Sequence, residues 1–409
     1  MTGLDFTLPP ELRDLLDRVR AYVEEDVLPA EAHVADPSDL LAAWDLVERL
    51  RDRARERGLY TPHLPEAWGG LGVGPLGMAL VSEACGVSGL ASLGLNAMAP
   101  DEGNMHTLLL AGDHEQLETW LRPLADGRVR SCFAMTEPDV ASSDPTNLQT
   151  TARRDGGEWV LDGRKWCITG ADGAAFAIVV AKTGDTDGAG HRNYSLILVP
   201  TDTPGWRVVR HPEWMGAHAP GGHPEIALEG VRVPLANLLG EEGAGFKIAQ
   251  QRLAGGRLAH AMRWIGVAQR ALDLSAERLL AREAFGKPLA QHQGLQFMLA
   301  DSAMDLYASR LMVLHTAWKL ERGLPHRQEV AMTKTFVSEA FGRIADRAVQ
   351  MHGAAGIAMD LPIARIYQDA RAARIYDGAS EVHRMVIARA CLELAKDGRS
   401  LKAACGELT

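Results

Sequence analysis

The sequence predicts an α+β chain in three parts: an N-terminal helical domain over residues 1–130, a small central β-sandwich or barrel over 131–242, and a C-terminal four-helix bundle over 243–409. Three observations predict it. Apolar residues recur at helical spacing towards both ends and in short Val- and Ile-rich runs in the middle. Glycine, proline and Asp-Gly punctuation is densest in the middle. The 409 residues, 46% of them hydrophobic, are enough for two or three folding units with sizeable cores.

The elements follow in order. Leu12, Leu16, Val19, Val23 and Val27 are spaced 4, 3, 4 and 4, one face of a helix that Pro29 should stop. A second helix is expected from Ser38, an N-cap residue type, to Gly58, a C-terminal stop. Further helices are expected near 75–95 and 101–125. In the middle, Glu158–Leu161 and Lys165–Thr169 flank Asp162-Gly163, a hairpin signal. Phe176–Lys182, Tyr194–Pro200, Trp206–Arg210 and Glu225–Val233 read as further strands. Beyond 243, long helical stretches over 244–282, 291–322, 326–352 and 360–396 are joined by short glycine- or proline-bearing links, the pattern of an antiparallel bundle.

Composition excludes several function classes. The 43 basic and 53 acidic residues give a net charge of −10, against a nucleic-acid or anionic-membrane binder. The longest apolar run, Ala174–Ala181, is too short to cross a bilayer, so no membrane span is expected. The first residues carry acids before any base and no apolar signal core. Five scattered cysteines without a C-x-x-C pair fit a reducing cytoplasm and no structural zinc.

Isolated motifs are weak. Gly72–Gly77 matches G-x-G-x-x-G, but the segment before it is too broken by proline to be a central strand, and Pro75 removes an amide a phosphate would use. It reads as a structural loop. His191, His211, His218 and His223 have no zinc-like spacing, so no metal site is expected. Three segments are more informative. Residues 133–144 offer hydroxyls and amides to a planar polar ring, or form a linking turn. Residues 282–293 place Arg, Lys and Gln at a helix end, fit for a pyrophosphate or simply for the helix dipole. Residues 350–356 and 375–384 set a lone carboxylate at a glycine-bearing break, a base or an N-cap.

In combination these segments resemble the acyl-CoA dehydrogenase family of flavoproteins, from end to end. The matching stretches are LPEAWGGLG at 64–72, MTEPDVASSD at 135–144, GRKWCITGA at 163–171, GGRLAHAMRWIGVAQRAL at 255–272, REAFGKPLAQHQ at 282–293, QMHGAAG at 350–356 and IYDGASEVHR at 375–384. Their wording is most similar to the subgroup of human family members 10 and 11.

The resemblance implies FAD held between the β domain and the bundle. Phe133, Met135 and Thr136 match the strand that hydrogen-bonds the flavin ring, with Ser143 in the Ser-Asp pair after it and one residue inserted between Pro138 and Ser143. Thr169 matches the hydroxyl at the flavin edge. The family's aromatic residue two places earlier is replaced by Cys167. Strand alternation turns the adjacent Trp166 away from the flavin unless a bulge shifts it. Arg282, Phe285, Gln293, Gln350 and Gly353 match residues that reach the pyrophosphate and adenosine of a neighbouring subunit, which implies a homo-oligomer, a dimer of dimers.

The resemblance further implies α,β-dehydrogenation of an acyl-CoA, as in fatty acid β-oxidation, with electrons passing to electron-transferring flavoprotein. Its base matches Asp377; the alternative base position of a few members is Gly256 and cannot serve. Burial is expected to raise the base's pKa. Arg257 should lie near it and favour its ionised form, opposing burial, and Arg257 and Gly378 are the expected substrate contacts. Ala379 replaces a family Thr, and Asp for Glu is one methylene shorter, leaving room for a branched or substituted acyl group. Two alternatives stand beside this: a flavin oxidase similar to nitroalkane oxidase, which also uses an Asp base, and a binding scaffold without turnover.

Overall fold

The computed structural model describes residues 7–34, 44–184, 190–216 and 219–405. The expected Ser38 cap and His218 lie outside them. The N-terminal part is helical: α1 (Pro10–Tyr22), α2 (Trp44–Glu56), α3 (Pro75–Cys85) and α4 (Asp101–Ala111), with shorter helical turns between. The α1 stripe is buried as its spacing requires, from Leu15 to Val27. Pro29 does not stop the helix. A π turn, Val23–Val27, widens the chain just before it, and helix resumes over Leu28–Glu31. A second π turn, Leu117–Leu121, precedes Pro123 in the same way. A wider turn relieves the clash and the missing amide that proline brings to a regular helix.

The loop Gly72–Gly77 is structural. It leads into α3, and the amide of Leu76 donates to Glu321 Oε2 at 2.9 Å, so a side chain of the bundle fills the helix start.

The central part is one curled eight-stranded sheet: β1 (Ser131–Ala134), β2 (Thr151–Asp155), β3 (Glu158–Lys165), β4 (Phe176–Lys182), β5 (Tyr194–Pro200), β6 (Trp206–Arg210), β7 (Glu225–Pro234) and β8 (Leu238–Leu239). Its order is β6-β7-β3-β2-β4-β5-β8, with β1 parallel to β4. Alternation gives β4 and β5 two apolar faces. Ala177, Val179, Ala181, Ile197 and Val199 fill the sheet's own core. Phe176, Ile178, Val180, Leu196 and Leu198 pack instead with Met105, Leu108 and Leu121 of the helical part. The expected hairpin at Asp162-Gly163 is not there. β3 runs through it with a bulge against β7, and Asp162 Oδ1 accepts the amide of Gly230 at 2.7 Å. Gly163 is needed because a Cβ would lie 2.5 Å from Thr150 Oγ1. The actual hairpin turns at Gly156-Gly157, a two-residue glycine turn between β2 and β3.

The bundle contains α5 (Gly245–Ala281), α6 (Gln293–Glu321), α7 (Arg327–His352), α8 (Pro362–Ala373) and α9 (Ser380–Lys396). The expected fourth helix, 360–396, is therefore two, interrupted at residues 374–379. Trp264 and Ile265 of α5, Val313 of α6, Phe341 and Ile344 of α7 and Ile366 of α8 share one core.

Helix α5 also anchors the N-terminal part at backbone range. A Cβ on Gly86 would lie 2.4 Å from the Arg263 carbonyl oxygen, and one on Gly266 only 2.1 Å from the Glu83 carbonyl oxygen. Gly266→Ala should therefore destabilise by about 1–3 kcal/mol through overpacking. Gly342→Ala, mid-helix in α7 with nothing within 4 Å of its Cβ, should be neutral or gain about 0.5–1 kcal/mol. Denaturant unfolding of the two variants checks this contrast.

Candidate active site

The interruption between α8 and α9 carries Asp377. Asp377 and Gly378 both have left-handed backbone, φ +54° and +98°. A Cβ on Gly378 would lie 2.8 Å from His383 Nε2, so position 378 has no room for a side chain. Three carbonyls at the interruption are tied down by cations. Lys334 Nζ of α7 donates to Ala373 O at 3.0 Å and Gly378 O at 2.7 Å. Arg257 Nε of α5 donates to Asp377 O at 2.8 Å. Arg257 thus holds the backbone of this segment.

The Asp377 side chain keeps 23% of its surface open. Its Oδ2 lies 3.2 Å from His260 Nε2. Gly256 faces the same oxygen, 3.8 Å from where its Cβ would stand. Positions 256 and 377 are therefore neighbours. The expected rise in the carboxyl's pKa is reversed. Burial alone pushes it up, but His260, Arg252, Arg257 and Lys334 together hold it below the ordinary carboxylate range. Burial in turn lowers His260 to about 4 and Lys334 to about 8. At neutral pH the site holds a carboxylate beside a neutral imidazole.

On the β-domain side, Thr136 and Trp166 are laced together. The Trp166 amide donates to Thr136 O at 3.0 Å, and the Thr136 hydroxyl donates to Trp166 O. The chain has left β3 by then, and Cys167 has φ +56°. Strand alternation therefore does not extend to Trp166 and Cys167. Trp166 packs on Trp214 at 5.9 Å, and Trp214 packs on His223, whose Nδ1 lies 2.9 Å from Thr169 Oγ1. Burial lifts the Cys167 thiol to about 11, so it stays protonated. Ser143 is exposed; its neighbour Ser142 folds back, its Oγ accepting the Glu137 amide at 2.9 Å.

A buried ion pair supports this rim. Lys165 Nζ lies 2.8 Å from Glu137 Oε1 and donates to Met135 O at 2.9 Å. Glu137 also accepts the amides of Gln149 and Thr150 at 2.7 and 3.0 Å.

The two sides meet at Arg252 of α5. Its guanidinium stacks 4.2 Å from the Phe133 ring, its Nε donates to Asn104 Oδ1 of α4 at 3.3 Å, and its charge acts on Asp377. Of the expected residues, Phe133 is thus linked through Arg252 to Asp377, and Thr136 and Thr169 hold contacts within the β domain. The remaining expected residues do not join them within one chain. Arg282, Phe285, Gln293, Gln350 and Gly353 all lie exposed, Phe285 at 97%.

The rim suits a flavin ring in one respect the chain itself leaves open: Trp214 Nε1 is buried beside Trp166 with no hydrogen-bond partner among the described residues. No group of three or more His, Cys, Asp or Glu among the described residues is arranged to hold a metal ion. No helix among them is long and apolar enough to cross a membrane.

Family descriptions for the N-terminal, middle and C-terminal domains of acyl-CoA dehydrogenases match residues 9–128, 132–231 and 243–392. The chain belongs to the acyl-CoA dehydrogenase family. It is an oxidoreductase of that flavoprotein family. The FadE2 protein of Mycobacterium tuberculosis, named a probable acyl-CoA dehydrogenase, is 41% identical over 98% of this chain and 100% of its own length. Acyl-CoA dehydrogenase family member 11 of Gallus gallus is 39% identical over 92% of this chain but only 50% of its own length, so the chain spans about half of that relative. The butyryl-CoA dehydrogenase of Megasphaera elsdenii superposes with a TM-score of 0.82 at 31% identity, covering 95% of this chain and 100% of that one.

Sequence reasoning missed Arg252, His260, Arg263 and Lys334. The first three carried a usable signal: 252, 256, 260 and 263 follow one another at helical spacing, on the face of α5 that holds Gly256. Lys334 carried none.

Lys165→Met should leave Glu137 buried without its cation and cost about 3–5 kcal/mol. Lys165→Met with Glu137→Gln should cost less than Lys165→Met alone. Thermal unfolding of the two variants compares them directly.

Proposed function

We propose that this acyl-CoA dehydrogenase family member removes the α and β hydrogens of an acyl-CoA thioester, giving the trans-2-enoyl-CoA. The observation that carries this is the partly open Asp377 carboxyl, set beside Gly256 and linked through Arg252 to Phe133 of the β domain. FAD supplies the acceptor for the β hydride. It would be held at its ring by Met135, Thr136 and Thr169, with Phe133 and Ser143 nearby, and at its pyrophosphate and adenosine by Arg282, Phe285, Gln293, Gln350 and Gly353 of a second copy. Exposure of those five on one chain supports a homo-oligomer, a dimer of dimers, as does an apolar surface that includes Leu280, Phe297 and Tyr307. Electron-transferring flavoprotein is the proposed electron acceptor, and β-oxidation in the cytoplasm the proposed setting; all five cysteines are free thiols.

The roles of the chain's own groups follow from their chemistry. The thioester carbonyl makes the α-proton removable, and an Asp377 oxygen takes it. Arg257 and Lys334 fix the backbone on which that carboxylate stands. Gly378 gives the acyl chain close passage.

Anaerobic titration of the FAD-loaded protein with a panel of acyl-CoAs should bleach the flavin with some members. Asp377→Asn should slow bleaching by at least about 10²–10⁴-fold. Asp377→Gly combined with Gly256→Glu should recover part of the rate, because position 256 points at the same spot. A flavin left oxidised by every thioester but reduced by nitroalkanes would instead mark an oxidase.

The carboxyl's lowered pKa sets the pH dependence. The base works when ionised, so its activity is lost only as pH falls through a value below the ordinary 3.8. The rate of flavin reduction per unit substrate should therefore show no acid limb between pH 5 and 8. An acid limb centred near pH 6–7 would contradict the assignment.

A further inference from the structure

We infer that His260 is a positioning residue for Asp377, acting as the last member of a largely buried chain of polar contacts that begins at Glu102 in the N-terminal part. The inference rests on Asp377 being the base.

The chain runs from α4 through α5 to the interruption between α8 and α9. Glu102 Oε2 of α4 lies 3.3 Å from Arg263 Nη1 of α5. Arg263 Nη2 lies 3.3 Å from His260 Nδ1. His260 Nε2 lies 3.2 Å from Asp377 Oδ2. The direction of these contacts is decided by chemistry. A guanidinium only donates, so His260 Nδ1 must accept. In a neutral imidazole the ring proton then sits on Nε2, the nitrogen facing the carboxylate. Burial keeps the ring neutral, its pKa near 4. The ring has little freedom to turn. It stacks on Trp264 at 5.8 Å and meets the edge of Tyr376 at 5.1 Å, and Trp264 Nε1 donates to the Tyr376 hydroxyl at 2.8 Å.

A short Asp side chain in a left-handed turn has few other means of orientation. Arg257 and Lys334 hold only backbone carbonyls of this segment. With Oδ2 directed at His260, Oδ1 is the oxygen left for the α-proton. A donor aimed at the charged form also favours that form.

Other charges act on the same carboxylate. Arg252 and Arg257 lie on α5 and Lys334 on α7. On α4, Glu102 also acts on His260, and His106 on the same helix senses both Glu102 and Arg252. His383 of α9 contacts the Asp377 carbonyl, and Glu339 and Glu381 act on Lys334. None of these but His260 is within bonding reach of Oδ2 in the contacts described.

The test compares holoenzyme with His260→Leu, His260→Gln and Glu102→Gln. Gln carries an amide N–H near the place of Nε2; Leu carries none. The first readout needs no substrate: the infrared carboxylate stretch of Asp377, isolated with ¹³C-Asp labelling and subtraction of Asp377→Asn. His260→Leu should move and broaden that band, His260→Gln should largely restore it, and Glu102→Gln should broaden it part-way. The second readout is flavin reduction by a reactive acyl-CoA. His260→Leu should slow it about tenfold with substrate affinity within about twofold, and should move the acid limb up by roughly one pH unit. In the Asp377→Asn background the Leu substitution should change nothing further. A band identical in wild type, Leu and Gln variants overturns the inference. So does a His260→Leu loss of rate that Gln fails to restore. If Leu does not fold, Gln and Glu102→Gln against wild type decide it by the same band: an unchanged band in Glu102→Gln overturns the chain. A band that responds while no thioester bleaches the wild-type flavin leaves the His260–Asp377 coupling standing and removes the dehydrogenase assignment.

Discussion

A carboxylate away from bulk water has to be compensated, and much of this molecule is arranged around that requirement at Asp377. Without partners an ion in such a place costs several kcal/mol. Here the compensation comes from elements far apart in the chain. Arg252 and Arg257 arrive on α5, Lys334 on α7 and the His260 ring on α5 again. These groups can converge only because α5 runs through the whole middle of the molecule, touching the N-terminal helices on one side and the bundle on the other. The interruption between α8 and α9 is the other half of the arrangement. It exposes carbonyls that a continuous helix would have used, and the same cations bind them. One set of positive charges thus shapes the backbone and sets the ionisation of its side chain.

The β domain solves a related problem by different means. Its rim loop, from Met135 to Thr150, has no regular hydrogen-bond ladder of its own. Glu137 turns inward and gathers two amides and the Lys165 ammonium, and Lys165 also takes the Met135 carbonyl. A buried ion pair is an expensive way to hold a loop, and here it ties Met135, Gln149 and Thr150 to one pair of side chains.

Much of the fold was legible because the apolar period changes twice along the chain and each change is long enough to see. What escaped was conditional on surroundings. Pro29 is a helix stop only if the helix cannot widen; the π turn at Val23–Val27 lets it continue. Asp162-Gly163 makes a hairpin only if the chain must reverse there, and packing against Thr150 and β7 keeps it straight. The family motifs led to Asp377, its neighbour position 256 and the opposing charge of Arg257, yet the net direction of the carboxyl's shift was not legible, since Arg252, His260 and Lys334 were not seen to converge on it. His260 and Arg263 were visible in the α5 stretch as letters. Their role depends on Glu102, some 160 positions away, and no local spacing announces that.

The contact between Gly86 and Gly266 has a consequence for how this lineage can drift. Two backbones that touch without side chains have no rotamers with which to absorb a change. Most neighbouring pairs in a core can trade volume, one growing as the other shrinks. This pair is already at the lower limit on both sides, so neither partner has anything to give up. The two sites are therefore coupled, and because Arg263 lends its carbonyl to the contact, the backbone turn that carries Arg263, with His260 one turn earlier, is held against the N-terminal helices at a fixed distance.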